Sequence, residues 1–101
     1  MTDIIKDLEL GYSSTCAEIT QLSGKLKQTT GTEELEEINS KIDTLFTDAH
    51  ETLEQIELES HGLQGRNKEK VSVRLDSYRA ELKRLQQNYK SCKTEAKQRL
   101  M

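Results

Sequence analysis

Residues 71–85, Val-Ser-Val-Arg-Leu-Asp-Ser-Tyr-Arg-Ala-Glu-Leu-Lys-Arg-Leu, return an apolar side chain at Val71, Leu75, Tyr78, Leu82 and Leu85, alternately four and three positions apart. A helix carries such positions round to one face once per turn, whereas a strand would need a period of two. Toward the C-terminus the stripe continues through Tyr89, Cys92 and Ala96. Toward the N-terminus two further stripes appear. One is Ile5, Leu8, Tyr12, Thr15, Ile19, Leu22 and Leu26; the other is Leu35, Ile38, Ile42, Leu45, Ala49, Thr52 and Ile56, with Leu53 beside it. A helix with one apolar stripe closes a core only against other helices. The fold class read from the sequence is therefore all-α, a single three-helix domain over residues 1–101. Its helices are expected at about 3–27, 33–61 and 68–100 from their start and stop signals. All these stripe residues except Thr15, Thr52 and Ala96, together with Leu53, form the expected core.

Composition agrees. Of 101 residues, 33% are charged and 4% aromatic, with no Trp and no Pro, which is the make-up of long helices. Disorder is the alternative for so polar a chain, and the unbroken three-four spacing argues against it. No apolar run approaches the roughly 20 residues that cross a bilayer. The start, Met-Thr-Asp-Ile-Ile-Lys-Asp, has no basic head followed by an apolar centre. The reading is a soluble, cytosolic chain. Cys16 and Cys92 fall at depths differing by roughly 16 Å along parallel first and third helices, too far apart for a bridge, so free thiols are expected.

Two short gaps, each bearing glycine, separate the stripes. Thr2 or Asp3 is expected to cap the first helix, which Gly11 and Gly24 each weaken by up to about 1 kcal/mol. Thr32 is expected to cap the second, with Glu33 and Glu34 against the positive end of its dipole, and Thr30 and Glu33 fit a capping box. Gly62 is expected to end that helix in the left-handed conformation, with His61 in its last turn. Asn67 is expected to cap the third. Gaps this short make neighbours antiparallel, giving an up-down-up bundle. Tyr12 and Tyr78 then share a layer, each hydroxyl reaching the edge for a polar partner.

Charge divides along the chain: net −1 over residues 1–31, −9 over 32–62 and +7 over 63–101. The structural reading sets the acidic second helix beside the basic third, with flanking pairs selecting that packing. The functional reading is one acidic and one basic binding face. Chemistry beyond binding is not signalled. No nucleophile–base pair, phosphate loop, dinucleotide fingerprint or calcium loop occurs, so no enzyme, catalytic residue or cofactor is expected. His50 and His61 do not make a zinc spacing. The basic residues of the third helix lack companion aromatics and the chain is acidic overall, so no nucleic-acid partner is expected.

Helix by helix, the sequence resembles the N-terminal, Habc-like domain of the Vti family of Qb SNAREs. Gly11-Tyr12 followed by Ala17-Glu18-Ile19-Thr20 looks like that family's first helix. Leu53-Glu54-Gln55-Ile56-Glu57-Leu58-Glu59 is similar to its acidic segment, and Arg74-Leu75, Tyr78-Arg79 and Glu81-Leu82 to its third helix. The resemblance implies an antiparallel three-helix bundle regulating or sorting a SNARE in vesicle fusion among trans-Golgi network, endosome and vacuole or lysosome. It would work at the cytoplasmic face of those membranes, by protein binding. It implies other SNARE proteins as partners through a SNARE helix, and membrane attachment through an anchor. Neither segment is in this chain, which reads as the N-terminal domain alone, monomeric by itself. An epsin-like ENTH adaptor or a tether is the implied partner of the domain, with Glu54, Glu57, Leu63 and Arg66 as candidate contact residues. Leu63 is the one apolar side chain in a second gap that has no proline. The alternative is a structural helical-bundle or coiled-coil module of a tethering or scaffold protein, which would form an elongated dimer. A spectrin-type repeat usually places Trp in its first helix, and this chain has none.

Overall fold

Stripes that must hide from water do so here against one another. The computed structural model describes residues 3–100 and contains three helices: α1 (Ile4–Leu26), α2 (Thr32–Ser60) and α3 (Gly65–Leu100). Contacts from α3 run to Glu9, Tyr12 and Leu26 in ascending order of α1, and to Glu57, His50 and Asp43 in descending order of α2. Hence α1 and α3 are parallel and α2 is antiparallel to both. At about 1.5 Å per residue α3 alone spans the long axis, in a body of 54 × 23 × 15 Å.

The core is one continuous cluster. Ile19, Leu26, Ile42, Ala49, Ile56 and Ala96 are inaccessible to solvent, and Tyr12 and Leu82 nearly so. Ile5, Leu35, Ile38, Leu53, Val71, Leu75, Tyr89 and Cys92 are also buried. Leu8, Leu22, Leu45, Tyr78 and Leu85 sit at its margin, half-buried and packed against it. Two residues enter the core in place of their stripe neighbours: Cys16 rather than Thr15, and Phe46 rather than Leu45. The buried set of α2 takes two successive four-residue steps, Ile38 to Ile42 to Phe46. A straight helix needs such steps, because a strict seven-residue repeat drifts by about 20° per heptad against 3.6 residues per turn. Both thiols are free and buried.

The helix ends depart from the sequence expectation at three points. Asp3 caps α1, its carboxylate accepting from the Lys6 amide at 3.2 Å; Thr2 lies outside the described residues. Gly31, not Thr32, occupies the cap position of α2, in extended backbone without a side-chain bond, and Thr32 is already helical. Gly62 is not left-handed. The last turn of α2 instead tightens through i to i+3 bonds from the His61, Gly62 and Leu63 amides, which satisfies terminal carbonyls without a positive φ. The left-handed residue is Gly65, with φ +60°, which opens α3 two positions before Asn67. Chain reversal after the Leu63 tuck places the strained conformation where α3 begins, and only glycine takes it cheaply.

At the opposite end Arg99 donates to the Leu26 carbonyl at 2.8 Å and the Thr29 carbonyl at 3.0 Å, so α3 caps α1. Buried Thr29 turns its own hydroxyl back to Lys25. The Ser23 hydroxyl is buried and lacks a partner.

Four substitutions should separate these terms in urea unfolding. Leu82→Ala or Ile42→Ala should lower stability by about 2–5 kcal/mol through the cavity left behind. A β-carbon at exposed Gly24 meets no atom within 4 Å, so Gly24→Ala should raise stability by about 0.5–1 kcal/mol. Ser23→Ala removes an unsatisfied buried hydroxyl and should leave stability unchanged or higher.

Candidate interaction surface

Polar ties between helices converge on α3. Tyr12 of α1 donates from its hydroxyl to the Tyr78 carbonyl at 2.9 Å and to Glu81 Oε1 at 3.1 Å, its ring 4.8 Å from that of Tyr78. Burial pushes that hydroxyl above the ordinary phenol range, with Cys16 and Glu81 adding to the effect. Tyr89 of α3 reaches α2, donating to Asn39 Oδ1 at 3.1 Å and making a longer contact of 3.4 Å to Asp43 Oδ1. Arg74 pairs with Glu9 at 2.6 Å and Arg79 with Glu57 at 2.8 Å. Gln86 meets His50 at 3.2 Å.

This arrangement holds helices together and has little to offer a reaction. Cys16 is enclosed, and burial, with Glu81 beside it, pushes its thiol up, away from the nucleophilic thiolate. His50 contacts Gln86 rather than either thiol. Among the described residues no cluster of three potential metal ligands occurs, and no helix is long and apolar enough to cross a membrane.

The outer faces remain. Among the described residues, Glu57 is the one α2 carboxylate joined to a cation in an ion pair, although residues 32–62 carry ten acidic side chains and one basic. Flanking pairs between α2 and α3 thus reduce to a single exposed bridge, of a kind that contributes about 0–1 kcal/mol. Most of the acidic charge of α2 is unspent and faces solvent.

The four candidate contact residues fall into two groups. Glu54 and Glu57 lie on adjacent turns of α2, Glu54 exposed and Glu57 half-exposed beside Arg79. Leu63 and Arg66 lie at the α2–α3 end of the bundle. Leu63 is half-buried against the core and lines a depression with Ile5, Lys6, Asn67 and Lys70, so it supports packing more than it projects. Arg66 is exposed and borders a second depression with Glu69, Lys70, Val73 and Arg74.

Two exposed apolar residues belong to the same surfaces and escape a reading by stripes alone. Leu58 is 60% exposed among Glu54, Glu57 and Glu59, and Val73 is 68% exposed beside Arg66 and Lys70. The signal that could have found them is their phase: each is apolar yet falls off its helix's buried stripe. An apolar centre with a polar rim is the layout of many protein interfaces, and single exposed apolar residues are also ordinary on a protein surface.

Compared with known proteins, the sequence matches the family model described as vesicle transport v-SNARE protein N-terminus over residues 1–93. That span includes α1, α2 and most of α3. No curated protein and no solved structure matches it.

The tyrosine ties carry a pH signature. Burial, then the Asp43 carboxylate, push the Tyr89 hydroxyl up to about 12. A folded-state value above the unfolded one means the native state holds its proton longer. That stabilisation is complete below about pH 10 and is lost as pH rises through about 12. Urea midpoints should therefore fall between these pH values, and Tyr89→Phe should make the fall shallower. Tyrosinate absorbance should show transitions displaced to high pH in wild type, with the component near 12 lost from the variant and the displaced ones of Tyr12 and Tyr78 kept.

Proposed function

This chain belongs to the vesicle transport v-SNARE protein N-terminus family, and on that premise we propose that it is the regulatory and sorting domain of a Vti-type Qb SNARE. The family has a SNARE role in vesicle transport and is a non-enzymatic, protein-interaction family. In the proposed setting the domain works at the cytoplasmic face of trans-Golgi, endosomal and vacuolar or lysosomal membranes. A SNARE helix elsewhere in the whole protein would engage the other SNAREs in fusion, and a membrane anchor would hold it in place. The domain itself would bind a sorting adaptor of the epsin-like ENTH type or a tether.

The observation that carries this reading is the family match across the three-helix body. The acidic end of α2 gives it a surface. Glu54 and Glu57 flank the exposed Leu58, so a partner with a basic rim and an apolar pocket would meet charge and anchor together. Attraction between exposed charges of this kind acts over about 8 Å at physiological ionic strength and weakens with added salt.

Purified ENTH domain titrated against this domain tests the proposal. The double variant Glu54→Lys/Glu57→Lys should bind at least about tenfold more weakly, a loss near 1.4 kcal/mol, while its melting temperature changes little because the Arg79 bridge is exposed. Leu58→Ala should weaken binding as well. Unchanged affinity in both variants would place adaptor recognition elsewhere, and no binding by wild type would remove the adaptor from the reading.

A further inference from the structure

The seam between α1 and α2 differs from the other two. Hydrogen bonds and ion pairs tie α3 to α1 and α3 to α2, but among the described residues none joins α1 to α2. Along this unclasped seam Leu22 and Leu45 are half-buried. With Glu18, Glu37, Lys41 and Thr44 they line an open groove of about 460 Å³. The α2 wall runs from Glu37 to Leu45, a rise of about 12 Å, or two helical turns.

We propose that this groove is a docking site for an amphipathic helix of a partner protein, one presenting a short Leu- or Ile-type stripe bordered by Lys or Arg. Shape favours a rod, since small ligands need enclosure over most of their surface and this groove is open along its length. Two leucines on its floor answer two successive apolar positions of a docked helix, the arrangement of helix-in-groove recognition. Charge selects a basic partner. Glu18 and Glu37 stand on the rim against one cation, Lys41. Glu34 and Asp48, both exposed, extend the same edge of α2 one turn to either side. A second copy of this chain cannot supply such a helix, because its three stripes are buried in its own core. Acidic helices and anionic surfaces meet like charge. The site is distinct from the acidic end of α2 described above, since neither Glu54 nor Glu57 lines it.

A designed Leu/Lys peptide, with leucines at i, i+3, i+4 and i+7, serves as the probe in titrations of the whole chain followed by methyl NMR. Shift changes should centre on Leu22 and Leu45. A Leu/Glu version and a version with scrambled leucines should bind at least about tenfold more weakly. Leu45→Lys should abolish most of the binding. Glu18→Lys/Glu37→Lys, which alters only exposed side chains and keeps the fold, should weaken it about three- to tenfold. The inference is overturned if the Leu/Lys peptide does not bind, or if the scrambled peptide binds as well. It is also overturned if the shifts centre on Leu58 or α3, or if Glu18→Lys/Glu37→Lys is without effect. Each result is independent of whether an adaptor binds at Glu54 and Glu57.

Discussion

A phenol hydroxyl taken out of water must find an acceptor, and Tyr12, 1% exposed, finds two on α3. Leaving such a group unpaired costs about 1–3 kcal/mol, so the pairing selects one depth for α1 against α3 out of the several that leucine packing would allow. Apolar burial supplies most of the stabilisation but tolerates sliding by a turn; a donor that must meet a particular carbonyl does not. Tyr89 sets α2 against α3 in the same manner through Asn39. Arg99 then holds the far end of α1 by the Leu26 carbonyl and the turn after it by that of Thr29. Register in this bundle thus rests on three polar side chains, while cohesion rests on the stripes.

Because all of these ties pass through α3, the molecule has an asymmetry that its three similar stripes do not suggest. Two seams are pinned by polar contacts, and their outer rims are partly occupied by Arg74, Arg79 and Gln86. Among the described residues, the third seam, between α1 and α2, has no hydrogen bond or ion pair joining its two helices. A partner helix added there would displace none between these residues. On the α2–α3 side it would compete with bonds already made at Tyr89, Gln86 and Arg79.

The architecture was legible because the pattern repeats over several turns of each helix. The third stripe needed no correction, since its steps from Val71 to Ala96 already average close to 3.6 residues. The first two did. Reading them as strict alternation placed Thr15 and Leu45 where Cys16 and Phe46 belong, and the cause is the drift between 3.5 and 3.6. The ends were less legible. Thr32 and Asn67 have capping side chains, yet glycines at 31 and 65 take the critical backbone positions, because the path between helices decides which residue must be non-helical. Arg99 was unreadable as a cap, since the carbonyls it satisfies are some seventy residues away. Of the candidate surface, the acidic run announced itself by composition. Leu58 did not, because an apolar residue within a charged run gains meaning only when its exposure is seen.

That acidic run conflicts with its own helix. Glu33 and Glu37, Glu51 and Glu54, and Glu54 and Glu57 stand one turn apart, and like-charge pairs at such spacing are unfavourable by about 0.2–0.5 kcal/mol each. Glu33 and Glu34 recover part of this at the positive end of the helix dipole. Glu57 and Glu59 do not, since they lie at the negative end, where the last turn contains no basic residue. One bridge to Arg79 offsets little of it. Local physics would favour lysine or glutamine here, with no loss to a core that these side chains do not enter. Sequences that break a local rule without gain to the fold do so most often where the surface has another use. A basic partner would relieve the repulsion on contact, and the free energy that this edge withholds from the isolated domain would be returned on binding.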